Sequence, residues 1–135
     1  MKKIIVFSIL YQFLFFIFSL FLIGIKEKFG SELFAFALYF NILYFLIGSL
    51  ASIASIKLIL KIKNIKMTTF FIYFSLFSIL AINIFVYFIS QKFLIWDVFA
   101  MQNDTWYISL SYHLSILLSV ITIYYSRIRI NDKQI

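Results

Sequence analysis

Four long apolar runs, separated by short polar breaks, account for nearly the whole chain. They extend over about residues 4–25, 33–60, 68–90 and 106–126. A helix needs about 20 predominantly apolar residues to cross the hydrocarbon core of a bilayer, so each run predicts a membrane-spanning helix. In the first break, Gly30 is suited to end one helix and Ser31 to cap the next. The second break is Lys61-Ile62-Lys63-Asn64-Ile65-Lys66, after which Thr68 or Thr69 opens the third span. The segment 91–105 is too short to span. Its mixture of Phe93, Trp96 and Phe99 with Lys92 and Asp97 predicts an interfacial helix, or a loop lying against the bundle.

Backbone polar groups in hydrocarbon must be satisfied internally. The expected fold is therefore an all-α membrane protein: a single domain over residues 1–135, built as a four-helix antiparallel transmembrane bundle. The first run follows Met1-Lys2-Lys3, as the apolar region of a secretory signal would. It is longer than such a region, roughly 7–15 residues, and ends in Gly24-Ile25-Lys26-Glu27 with no small-residue cleavage pattern. It is read as a retained span.

Composition narrows the picture further. The 135 residues are 64% hydrophobic and only 13% charged, with mean hydropathy +1.06, whereas a soluble domain carries roughly 25% charged residues. Four spans and their links use the available length, so function is expected inside the bilayer, at its surfaces or through a partner. There is no cysteine, which removes disulfides and thiolate metal sites. There is no proline either, and uninterrupted spans weaken a transporter reading, because broken helices commonly line transporter sites.

Charge gives the orientation. Lys2, Lys3, Lys57, Lys61, Lys63, Lys66, Arg127, Arg129 and Lys133 fall on one side, and only Lys26, Lys28 and Lys92 on the other. The positive-inside rule then puts both termini and the Lys61–Lys66 loop in the cytoplasm, in an inner (plasma) membrane. Four of the five acids, Glu27, Glu32, Asp97 and Asp104, fall on the opposite side.

Small and polar residues recur at helical spacing, and such stripes are expected to face protein, because they let helices approach closely and bond across the contact. The first span contributes Ser8, Gln12 and Ser19; the second Ala37, Asn41, Gly48, Ser52 and Ser55, broadened by Ala51; the fourth Ser111, Ser115, Ser119, Thr122 and Ser126. The third is weaker, with Ser75 and Ser78 adjacent and Asn83 offset. Asn41, Gly48, Ala51, Ser52, Ser55, Ser111, Ser115 and Ser119 are the expected helix-packing or oligomer contacts. A polar pathway is the sharper alternative, with Gln12, Asn83 and His113 as its intramembrane polar positions. It lacks the intramembrane carboxylate or arginine that commonly marks an ion route.

His113, the only histidine, can relay a proton or sense pH. The plainer reading, an interhelical hydrogen bond, is preferred because no second titratable group is assigned to its depth. Lys57, Lys61, Lys63 and Lys66 form the strongest charge feature. They act as a topology signal and an anionic-lipid contact, and they are the candidate docking surface for a cytoplasmic partner. Four lysines without an aromatic platform are a poor nucleic-acid footprint, so no direct nucleic-acid binding is expected.

No nucleophile with a base, paired intramembrane carboxylates, phosphate loop or metal-ligand spacing is present. A non-enzymatic protein without a cofactor is expected. In size, span count and topology the whole chain resembles the small membrane subunits of phage-defence systems, such as that of the Kiwa system, and the immunity proteins against pore-forming colicins. The resemblance is architectural and carries no diagnostic motif. It implies a homo-oligomeric accessory protein that senses or anchors a membrane or cytoplasmic partner. The competing classes are a small oligomeric channel or transporter, marked by a polar stripe facing a central axis, and a structural subunit of a larger membrane complex, marked by instability alone.

Overall fold

A computed structural model describes residues 2–27, 31–100 and 106–125, with residues 2, 99 and 100 described by backbone alone. Five helices follow in order: α1 (Lys2–Glu27), α2 (Glu32–Ile59), α3 (Met67–Ser90), α4 (Leu94–Ala100) and α5 (Trp106–Tyr125). At 1.5 Å per residue, the 20 residues of α5, the shortest of the long helices, extend about 30 Å. Four helices are thus long and apolar enough to cross a membrane. Lys28, Gly30, Asp104, Ser126, Arg127, Arg129 and Lys133 lie outside the described residues.

The helix ends have local causes. Ser31 caps α2, its hydroxyl accepting from the Phe34 N–H at 3.1 Å, which satisfies one of the donors left open at a helix start. α2 ends at Ile59, with Leu60 as its C-cap, and the chain then turns through Asn64 in the left-handed region, φ 56°, which asparagine tolerates better than most residues. α3 begins at Met67, earlier than a threonine cap would place it. Lys66 is the capping residue and makes no side-chain cap bond, since an ammonium group has no acceptor to offer an N–H; Ile65, Phe70 and Phe71 are buried in the core on either side of it. α3 ends on Gln91, also left-handed at φ 58°, whose N–H returns to the Tyr87 carbonyl.

α1 packs along α2 and α5, and α3 packs along the same two helices, so the four close into a ring in which α1 faces α3 diagonally. Two apolar clusters fill it. One gathers Phe7 and Tyr11 of α1, Ile56 and Ile59 of α2, Phe70, Phe71 and Phe74 of α3, and Val120 and Ile123 of α5. The other joins Phe15 and Ile23, Ala37, Phe40 and Tyr44, Ile82, Leu94, Tyr112 and Ile116. Aromatic rings cross the diagonal: Phe7 meets Phe74 edge-on at 5.4 Å between centroids, and Tyr11 meets it at 4.8 Å. Such geometry adds about 0.5–1.5 kcal/mol per pair beyond area burial.

The long helices also carry many large apolar side chains on their outer faces. Leu46, Leu50 and Phe88 are 72%, 68% and 75% exposed, in a surface too rich in such residues for water to tolerate. A helix apolar on all sides suits a membrane span, and these faces mark the chain as a membrane protein. α4, on the segment expected to be interfacial or loop-like, packs against α5 and α3.

Candidate functional site

The polar stripes converge inside the ring. On α1, Ser8, Gln12 and Ser19 are all buried, and α2 supplies buried Asn41, Gly48, Ser52 and Ser55. Gln12 Nε2 donates to Ser52 Oγ at 3.4 Å, and Ser19 Oγ donates to Asn41 Oδ1 at 3.1 Å. Gly48 is small for a specific reason: a Cβ there would meet Gln12 Nε2 at 2.5 Å and its Cδ at 2.8 Å. Ala51 is only half-buried and stands at the edge of this seam. Ser8 Oγ, Gln12 Oε1 and Asn41 Nδ2 are buried without a hydrogen-bond partner, so the seam keeps unused polar capacity, none of it titratable.

The serines of α5 behave differently. Ser111, Ser115 and Ser119 are buried, and each hydroxyl donates to the carbonyl four residues back, at 2.7, 2.6 and 2.6 Å. Their bonding is spent on their own helix, which leaves a narrow, sterically smooth face. Thr122 back-bonds in the same way but is exposed, so the buried stripe ends before it. Ser52 and Ser55 also back-bond, to the Gly48 and Ala51 carbonyls at 2.8 Å each.

A second polar centre joins α3, α4 and α5. Asn83, buried, donates from Nδ2 to the Ile79 carbonyl at 2.8 Å, and its Oδ1 accepts the Ile95 N–H at 2.8 Å. A carbonyl can only accept and a backbone N–H can only donate, so these two bonds fix the amide's orientation. Nδ2 lies 3.1 Å from His113 Nε2, which must then accept. The proton of the neutral ring sits on Nδ1, 2.7 Å from the Ser109 carbonyl it donates to. His113 lies on the side of α5 away from the serine stripe, and both sides are occupied because α5 packs between α1 and α3.

Lys57, Lys61, Lys63 and Lys66 are exposed at the α2–α3 turn. Lys3, exposed near the start of α1, belongs to the same end, since its neighbour Ile4 packs on the cluster holding Ile59 and Phe71. At the other end Tyr107 donates its hydroxyl proton to Glu27, and Lys26 Nζ lies 5.6 Å from the centroid of the Tyr107 ring. That tie was not anticipated from sequence, although Glu27 and Tyr107 close the first span and open the fourth on one side. The Ile95 N–H was also unforeseeable, since a backbone donor leaves no mark in side-chain patterns.

Among the described residues no group of three His, Cys, Asp or Glu side chains comes together to hold a metal. Chemically, the interior can bond helices to one another and present small faces; among the described residues, the polar side chains that join α3, α4 and α5 include one titratable group, His113, which is half-buried. Compared with protein-family models, curated proteins and solved structures, the chain matches none.

Proposed function

We propose that this chain is a non-enzymatic accessory protein of the inner membrane, an antiparallel bundle with both termini in the cytoplasm. Its lysine-rich α2–α3 turn recruits an acidic cytoplasmic partner, and copies of the chain associate in the membrane. A role in a defence or immunity system is the version of this reading that the architecture suggests.

The observation that carries it is the division of polar groups. The amide and serine stripes are buried within one chain, in the α1–α2 seam and the α5 back-bonds, while Lys57, at the end of α2, and Lys61, Lys63 and Lys66, in the turn that follows, are all exposed. Burial of the stripes supports packing over conduction. The exposed lysines leave a surface able to hold an acidic protein face or anionic headgroups, at about 1 kcal/mol per lysine near a charged surface.

The test is purification from the native host in mild detergent, measuring mass and bound proteins together for the wild type and for the variant with all four lysines changed to Gln. The expected wild-type result is a homo-oligomer with a stoichiometric soluble partner. The variant, inserted in the same orientation, loses that partner. A bare oligomer in both cases would refute the recruiting role.

A further inference from the structure

A cavity of about 240 Å³ opens between α2, α3, α4 and α5, at the end of the ring opposite the lysine turn. It exists because α2 and α5 stand diagonally apart and do not pack on one another, while α4 leans on α3 and α5 and forms one wall. Phe36, Phe40, Val86, Ile89 and Tyr112 are among its apolar lining residues, and the acidic Asp97 of α4 borders it. The aromatic wall is held in place: Phe40 lies 5.1 Å from Tyr112 and 5.4 Å from Phe85 between ring centroids.

Asp97 is half-buried, and among the described residues no hydrogen bond or ion pair engages it. We propose that this cavity binds a small lipophilic organic cation, an ammonium carrying an aryl or short alkyl group, with the charge at Asp97 and the apolar part against Phe36, Phe40 and Tyr112. Three properties select that class. The apolar walls reward an alkyl or aryl body. A carboxylate at an apolar wall attracts a cation more strongly than it would in open water, since the effective dielectric is lower. The aromatic faces are negative and add cation–π attraction. An anionic ligand meets repulsion from Asp97, and a neutral acyl chain leaves the carboxylate unused.

This inference is independent of the recruiting role, which uses the opposite end of the molecule. It is tested with the full-length protein in nonionic maltoside micelles, by equilibrium dialysis of labelled benzyltrimethylammonium. Saturable binding is expected, weakened roughly tenfold or more by Asp97→Asn and retained by Asp97→Glu. Ile89→Trp puts a larger ring at the rim of the cavity and is expected to weaken binding. Asp97→Asn changes charge at nearly constant shape, so helicity and elution should match the wild type. Absence of saturable binding to the wild type, binding unchanged in Asp97→Asn, or binding unchanged in Ile89→Trp would each overturn the proposal.

Discussion

Gln12 occupies the space a side chain at Gly48 would need: a Cβ there would lie 2.5 Å from Nε2 and 2.9 Å from Oε1. The pair is one fitted unit, a long polar side chain from α1 laid over a bare stretch of α2. The atoms in the way belong to the end of a side chain, so the amide can move, but only by giving up its bond to Ser52.

Gly48→Ala is therefore expected to destabilise the bundle by about 1–2 kcal/mol, and Gly48→Leu by more, as overpacking does in other close-packed interiors. Adding Gln12→Ala should recover much of the loss in Gly48→Ala. Steric trapping of unfolding in bicelles measures all the variants, and a double-mutant cycle with no coupling would contradict the fit.

Asn83 ties three elements through one amide. Asn83→Ala leaves the Ile95 N–H and His113 Nε2 without their partner, at a cost of about 2 kcal/mol when such groups stay buried. The local consequence is more specific: hydrogen exchange at Ile95 should accelerate. His113→Leu removes the ring's bonds to Asn83 and to the Ser109 carbonyl but leaves the Asn83 carbonyl oxygen on the Ile95 N–H, so Ile95 should stay protected.

The orientation of that amide makes His113 the Nδ1–H tautomer. Nitrogen NMR of imidazole-labelled protein in bilayers should show a protonated Nδ1 and an unprotonated, accepting Nε2. The reverse assignment would mean that Asn83 does not donate to the ring.

Tyr107→Phe removes the hydroxyl that donates to Glu27 but keeps the ring under Lys26. A stability loss of about 1 kcal/mol is expected, with faster exchange at the end of α1 and the start of α5. Equal loss in Tyr107→Phe and Tyr107→Leu would show that the ring contact contributes nothing measurable.

Because the chain contains no cysteine, orientation can be read from single replacements on a clean background. Lys63→Cys should react with an impermeant maleimide only after the cells are opened, and Lys92→Cys should react in intact cells. The opposite pattern would invert the proposed topology.

Four long apolar helices, their approximate limits and the Ser31 cap were legible in the sequence, because length and apolarity are set locally along the chain and a cap acts over three residues. The burial of Gln12, Asn41, Gly48, Ser52 and the α5 serines was legible for a similar reason, since helical periodicity brings them to common faces. Pairing was not. Periodicity says that Gly48 lies on a small face, not that Gln12 is what lies over it; it puts Asn83 off the stripe of its own helix without showing that His113 and the Ile95 N–H meet it there. Nor does it say that Thr122 falls outside the buried stripe. Those relationships depend on how far each helix is rotated and slid against its neighbours, which is fixed by all the contacts of the ring acting together. The cavity beside Asp97 has the same origin, since a gap between diagonal helices belongs to no single segment of the chain.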